Sequence, residues 1–205
     1  MRYLSVSNVG KSSVLLLAVV TMLGSSGCGP KQFSHGEYDD PARVELLDDR
    51  FNENDMQQLA DSIIRAMTAC PSVAKAAKPP VVSVEEVQNR TEEHIDMVPL
   101  SAKIRTALIK TGKVRFVNNA ERGTIDKETA YQDSGRVSKK TKKAKDNQTG
   151  VDYQMSGSLS TNIQQVGNDK LIYYVLTMNF TNLETSEIDC TEEKEIRKKY
   201  RKRTN

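Results

Sequence analysis

The spacing of apolar residues predicts two amphipathic helices in the first half of the chain. The first begins after an asparagine cap at Asn52 and ends at Cys70-Pro71. The second runs from about residue 99 to 110 and stops at Gly112. In both, apolar side chains recur every three or four residues and form one buried stripe. The stripes consist of Met56, Leu59, Ile63, Ile64 and Met67 in the first helix and of Leu100, Ile104 and Leu108 in the second.

A strand, the second helix and another strand follow one another in the sequence. Residues 81–87 are rich in β-branched side chains, and we expect Asn89-Arg90-Thr91 to close this strand in a polar turn. Residues 114–117 form the next strand, and this order predicts a β-α-β unit with a right-handed crossover. Residues 120–150 carry too few apolar positions to predict an element.

The C-terminal third is predicted to be antiparallel sheet. Apolar and polar residues alternate from Val151 onward and again over 171–183, with a hairpin turn at 167–170 between them. Ile188 begins a last, shorter strand. Together with the β-α-β unit, these segments predict an α/β fold, a small mixed sheet of about four to five strands with helices packed on it.

The N-terminal segment has the pattern of an export signal. Arg2 and Lys11 accompany an apolar run that is about ten residues long, too short to cross a bilayer. Small residues then lead to Cys28, which resembles a bacterial lipoprotein signal at 1–27 with lipid attachment at Cys28. The alternative is an ordinary signal cleaved near Ser26, which leaves Cys28 as a free or disulfide-bonded thiol.

An acidic segment separates Cys28 from the predicted domain. Between residues 37 and 55 there are eight carboxylates and two cations. We interpret 28–50 as the lipidated cysteine with a short acidic tether, 51–198 as one globular α/β domain and 199–205 as a basic tail. Without the signal, 178 of the 205 residues remain, which is enough for one domain with a core.

Charge argues against a nucleic-acid binder. The formal net charge of +3 falls to +1 once the two cations of the signal are removed. Six of the ten residues 136–145 are basic, which indicates either a patch for an anionic partner or a solvated surface. Seven of the ten residues 194–203 are basic, which indicates either a charged edge strand or a basic tail. Tyr200 is the one aromatic residue in these runs, so stacking on bases is unsupported.

No motif for catalysis or metal binding is recognised. There is no nucleophile elbow, P-loop or GxGxxG, and we expect neither an enzyme nor a cofactor nor a metal. His94 lies among Glu92, Glu93 and Asp96, but adjacent residues of one loop rarely converge on an ion. Cys70 and Cys190 lack a CxxC motif, and after export they form either a disulfide or two buried thiols.

The order of several local patterns over residues 52–198 resembles the LpoB family of lipoproteins. These patterns are the strand that closes in Asn89-Arg90-Thr91, the helix end at 110–113 before the next strand, the strand entry at 153–157, the strand-turn-strand at 182–188 and the ending at 193–198. The resemblance implies a domain similar to the N-terminal domain of the periplasmic protein TolB. Members often carry a tryptophan where this chain has Cys190, and a bridge to Cys70 is the substitute that the resemblance suggests.

The LpoB family consists of outer-membrane-anchored activators of class A penicillin-binding proteins. The resemblance implies a non-catalytic lipoprotein, held through Cys28 at the periplasmic face of the outer membrane, that binds the periplasmic domain of a peptidoglycan synthase and promotes cell-wall synthesis and cell shape. We expect a monomer with Asn89, Arg90 and Thr91 as partner-binding residues and the basic runs as secondary candidates. The alternative is a lipoprotein of an envelope secretion or assembly complex of the curli-secretion type.

Overall fold

The computed structural model describes residues 36, 38–40, 43–46, 48–143 and 147–202. The chain divides into two compact units, Met1–Pro41 and Ala42–Asn205. The described residues of the first unit form no helix or strand. The signal predicted at 1–27, Cys28 and part of the predicted tether lie outside the described residues.

Helix α1 (Glu53–Ala69) begins at a capping box, as the asparagine cap predicts. The backbone N–H of Asp55 donates to Asn52 Oδ1 over 3.1 Å, and the N–H of Asn52 donates to Asp55 Oδ2 over 2.9 Å. Pro71 ends α1 and begins the short helix α2 (Pro71–Ala74). Helix α3 (Val98–Lys110) matches the second predicted helix, and Gly112 after it adopts φ +68°, a conformation that favours glycine.

Six strands form one mixed sheet, which confirms the predicted α/β fold. Its order is β3-β1-β4-β5-β6, and β2 pairs with β4 beyond the end of β1. β1 is parallel to β3 and β4, as a β-α-β unit requires, whereas β4, β5 and β6 are antiparallel. The strands are β1 (Val81–Val84), β2 (Gln88–Arg90), β3 (Arg115–Phe116), β4 (Tyr153–Val166), β5 (Asp169–Asn182) and β6 (Ile188–Arg201).

Two predicted connections are strands in the structure. Residues 88–90 are not a turn, because they pair in parallel with the part of β4 that the short β1 leaves unpaired. The last strand is not shorter than its neighbours, since β6 has 14 residues and pairs with β5 as far as Arg201. The second basic run is therefore an edge strand through Arg201, so residues 199–201 of the predicted tail belong to β6.

Residues 119–133 form helical structure that the sequence pattern does not predict. A 3-10 turn (Asn119–Glu121) leads into helix α4 (Arg122–Asp133), which has no buried residue. Helix α4 has no apolar stripe because it lies outside the core and buries none of its faces. The first basic run folds back on α4, with an ion pair of 2.5 Å between Lys142 and Asp133.

Helices α1 and α3 pack on one face of the sheet. Over β4 to β6 the other face, which we call the uncovered face, carries partly or fully exposed residues within the described ranges. Alternate residues of β4 and β5 point into this core. At Gly157 a Cβ would overlap with the carbonyl oxygen of Thr177 and the sulfur of Met178, so β4 and β5 are packed without room for a side chain there. The core side chains of the strands and helices include Leu59, Ile63, Met67, Leu100, Ile104, Leu108, Met155, Leu159, Ile172, Tyr174, Leu176, Met178 and Phe180.

A disulfide joins Cys70 to Cys190, so the structure contains the bridge rather than two thiols. Their Cα atoms lie 6.1 Å apart and the residues are 120 positions apart in the sequence. The bond connects the end of α1 to the start of β6. Beside it, Asp189 Oδ2 accepts hydrogen bonds from Ser72 Oγ at 2.6 Å and from the hydroxyl of Tyr153 at 2.9 Å.

Candidate functional site

Asn89 and Thr91 organise the loop that follows β2. Asn89 Nδ2 donates to the carbonyl oxygens of Glu93 and Ile95, at 2.8 and 3.3 Å. Its Oδ1 accepts from the backbone N–H and the hydroxyl of Thr91, at 2.9 and 2.7 Å. Because these polar atoms are used within the loop, Asn89 and Thr91 hold its shape. Asn89 and Thr91 therefore have a structural role in the loop, whereas Arg90 is a separate candidate for binding a partner.

Arg90 presents its guanidinium on the uncovered face of the sheet. Gln88 and Arg90 lie opposite Ser158 and Ser160 of β4, and these positions alternate with the buried Leu159. The Arg90 guanidinium is exposed and donates to Gln88 Oε1 at 2.9 Å. Of the three residues predicted to bind a partner, Arg90 is the one whose side chain points to solvent on this face.

Arg90 lines an open cleft of about 440 Å³ between the 85–90 segment and strands β4 and β5. Carboxylates, amides, hydroxyls and one guanidinium surround it, so it offers hydrogen bonds and charges of both signs to a partner. The sequence does contain a signal for this cleft, namely small polar residues at every second position of β4 and β5. The lining residues are Glu85, Glu86, Gln88, Arg90, Gln154, Ser156, Gly157, Ser158, Thr177 and Asn179.

Glu93 connects the loop after β2 to the core. Its Oε1 accepts a hydrogen bond from the hydroxyl of Tyr174, and its Oε2 accepts from the backbone N–H of Phe51 at 2.9 Å. Burial, with the hydrogen bond to Glu93 as a second cause, raises the pKa of Tyr174 well above its usual range. The Phe51 ring meets the Tyr174 ring edge-on, with centroids 5.4 Å apart. The loop beside the cleft is thus fixed to the segment before α1.

Residues 48–52, which we name the root segment, are bound to the hairpin of β5 and the end of β6. The carbonyl oxygen of Asp48 accepts from the hydroxyl of Tyr200, and Asp49 pairs with Lys170 at 2.6 Å. The hydrogen bond with Lys170 lowers the pKa of Asp49. The last residues of the predicted tether are therefore attached to the domain.

Lys198 lies at the centre of this attachment, although it belongs to the second basic run. Its side chain is 2% exposed and forms an ion pair of 2.5 Å with Asp55, which is 3% exposed. Lys198 Nζ also donates to the carbonyl oxygen of Arg50 at 2.8 Å and lies 5.7 Å from the centre of the Tyr174 ring. A residue that looks like part of a solvated charge run is a buried structural cation.

The remaining sequence candidates are not brought together into one site. His94 is exposed at a separate groove beside the root segment. Within the part of the chain that the structure describes, no group of three histidine, cysteine or acidic side chains could hold a metal ion. The first basic run lies on the surface next to α4, where Arg136 lies 5.9 Å from the centre of the Tyr131 ring.

The fold and the cleft define a small α/β domain with a polar surface suited to binding. The chain belongs to the LpoB family, because the model described as "Peptidoglycan-synthase activator LpoB" matches residues 55–196, more than half of the chain. This finding confirms the resemblance seen in the sequence. The family is one of activators of peptidoglycan synthesis. No curated protein matches the chain.

Several solved structures are similar to this chain at low identity. The C-terminal domain of LpoB from Escherichia coli is 18% identical with a TM-score of 0.44, and the similarity covers 67% of this chain and 96% of that one. The same domain from Salmonella enterica is 17% identical with a TM-score of 0.43, covering 66% and 96%. Lipoprotein GNA1162 from Neisseria meningitidis is 13% identical with a TM-score of 0.38, covering 59% and 84%. These low values add nothing to the family assignment.

The helices in the described ranges are all too short or too polar to span a bilayer.

Proposed function

We propose that this protein is a non-catalytic lipoprotein that binds the periplasmic domain of a class A penicillin-binding protein and activates it. The family match to a peptidoglycan-synthase activator is the observation that carries the proposal. Lipid attachment at Cys28 would hold the domain at the periplasmic face of the outer membrane, in keeping with the export pattern of residues 1–27. The partners are then the synthase and, through the lipid, the membrane.

The cleft beside Arg90 is the surface that we assign to the synthase. Arginine is enriched at the centres of protein interfaces because its planar guanidinium donates several hydrogen bonds in a fixed geometry. Glu85 and Glu86 face the same cleft, so a partner with both an acidic and a basic side chain would be recognised by complementary charge. Asn89 and Thr91 contribute by holding the loop that presents Arg90.

Activation requires a difference in affinity between two states of the synthase. A binding protein shifts an equilibrium only by as much as it prefers one state, and a tenfold preference corresponds to about 1.4 kcal/mol. This domain therefore acts by binding the active conformation of the synthase more tightly than the resting one.

The proposal is tested with the soluble 29–205 chain, which contains the whole 48–202 core, and a purified class A synthase. We expect binding and a higher rate of glycan polymerisation when the wild type is added. Arg90→Ala should weaken binding by about tenfold, because a central arginine contributes more than 1 kcal/mol. Arg122→Ala, on the exposed helix α4, is the matched control and should leave binding unchanged.

Two results would contradict this proposal. The first is a wild-type domain that neither binds nor stimulates any class A synthase from the same envelope. The second is capture of a secretion complex rather than a synthase when the 29–205 chain is used as bait in an envelope extract. Equal binding by the wild type and Arg90→Ala would reject the cleft as the interface while leaving the activator function in place.

A further inference from the structure

Strand β6 forms the outer edge of the sheet. Within the described residues it pairs with β5 alone, over the length from Ile188 to Arg201. Every second residue of an edge strand directs its backbone N–H and C=O away from the sheet, where another strand can pair with them. Such an edge can be covered by a strand whose side chains match its own charges.

The charges of β6 are separated along the strand. On the uncovered face of the sheet, Glu193 and Glu195 are followed by Arg197, Lys199 and Arg201, and all five residues are exposed. The first half of this row is acidic and the second half is basic. Asp169 of β5 pairs with Lys199 at 2.9 Å and with Arg201 at 2.7 Å, and this single carboxylate leaves the basic half with a net positive charge. A strand with this division is complementary to itself when a second copy runs in the opposite direction.

We propose that β6 is a homodimer interface in which two copies pair antiparallel around Ile196. A two-fold axis at Ile196 places Glu193 opposite Lys199 of the second copy and Glu195 opposite its Arg197. By symmetry each pair occurs twice, and the two sheets become one continuous sheet. The edge of β6 shares no residue with the lining of the cleft beside Arg90, although Thr177 of that lining donates a hydrogen bond to Glu193 at 3.3 Å. The dimer therefore goes beyond the proposed function and is tested separately from it.

The charges select this register over its neighbours. Moving the axis from Ile196 to position 195 would place two copies of Glu195 opposite each other, and moving it to position 197 would do the same with Arg197. Like charges directly opposite each other destabilise a strand pair. On the helix-covered face, Lys194 would lie opposite Lys198, but Asp55 already compensates the charge of Lys198.

The inference replaces the expectation of a monomer and is tested by charge reversal in the 29–205 chain. We expect the wild type to show twice the monomer mass in sedimentation velocity at high protein concentration. The variant E193K/E195K has a basic strand and the variant R197E/K199E an acidic one, so each alone should dimerise at least about tenfold more weakly. An equimolar mixture of the two should recover the doubled mass, because each strand then faces its opposite charge.

The matched control is K139E/K140E, which changes the surface next to α4 and should leave the dimer intact. Recovery in the mixture also shows that both variants are folded, since a misfolded chain would not regain a partner. The inference is overturned if the wild type keeps the monomer mass at every concentration. It is also overturned if it assembles into larger rings, or if the mixture stays as monomeric as its components.

Discussion

Replacing Lys198 with methionine tests whether the buried pair with Asp55 stabilises the domain. Methionine has a similar length, but it removes the ammonium group that lies 5.7 Å from the centre of the Tyr174 ring. The substitution leaves the Asp55 carboxylate, 3% exposed, with the capping hydrogen bond from the backbone N–H of Asn52 as its remaining described partner. It also removes the donor to the carbonyl oxygen of Arg50.

The expected loss follows from the burial of both groups. Removing one partner of a buried ion pair costs about 3–5 kcal/mol, whereas an exposed pair is worth about 0–1 kcal/mol. Because Lys198 and Asp55 are both nearly inaccessible, we expect Lys198→Met to lower the free energy of unfolding by about 3–4 kcal/mol. This is a large part of the roughly 5–15 kcal/mol that holds a typical domain folded.

Urea denaturation followed by circular dichroism measures this loss. Lys202→Met, just beyond the end of β6, removes an exposed cation and should change the free energy of unfolding by less than about 0.5 kcal/mol. Asp55→Asn should destabilise the wild type but stabilise the Lys198→Met variant, because it removes the carboxylate left without its cation. If Lys198→Met lowers the free energy of unfolding by less than about 1 kcal/mol, the pair with Asp55 stabilises the domain no more than an exposed ion pair does, and the reasoning from burial is refuted.

Three further substitutions test other contacts. Cys70→Ser should lower the free energy of unfolding by about 2–5 kcal/mol, because the bridge to Cys190 closes a loop of 120 residues; reductant should have little further effect on the variant. Gly157→Ala should cost about 1–3 kcal/mol through overlap with β5, whereas Gly123→Ala, with open space around it, should not destabilise, as thermal unfolding will show. The pKa of Tyr174 is raised in the folded domain, so the wild type should lose stability as pH rises above about 10, where the tyrosine of the unfolded chain ionises and that of the folded domain does not. Tyr174→Phe has no hydroxyl to ionise and should not show this loss of the free energy of unfolding.

Local signals predicted helices α1 and α3 and the long hairpin. Asn52 caps a helix through its own neighbours, and the positive φ of Gly112 belongs to the residue itself. The alternation in β4 and β5 reports one buried face. In each case the information lies within a few residues of the element, so the sequence is enough.

Apart from the exposed helix α4, the missed features depend on distant partners. Gln88–Arg90 has no apolar alternation and becomes a strand through its pairing with β4. Lys198 stands among other cations, and what buries it is Asp55, a residue that the sequence presents as part of a helix cap. The candidate site was predicted as three equivalent residues, but Asn89 and Thr91 turn inward to the loop while Arg90 faces solvent. A linear pattern does not show such directions.

The root segment has a mechanical consequence for the proposed attachment through Cys28. A force pulling on the chain before Asp48 meets the contacts to Tyr200, Lys170 and Lys198 before it reaches the first turn of α1. These contacts lie on β5 and β6, so the force acts on two paired strands and does not unfold α1 from its N-terminal end. A pull at Asp48 therefore reaches β5 and β6 through these contacts, while the cleft beside Arg90 keeps its shape.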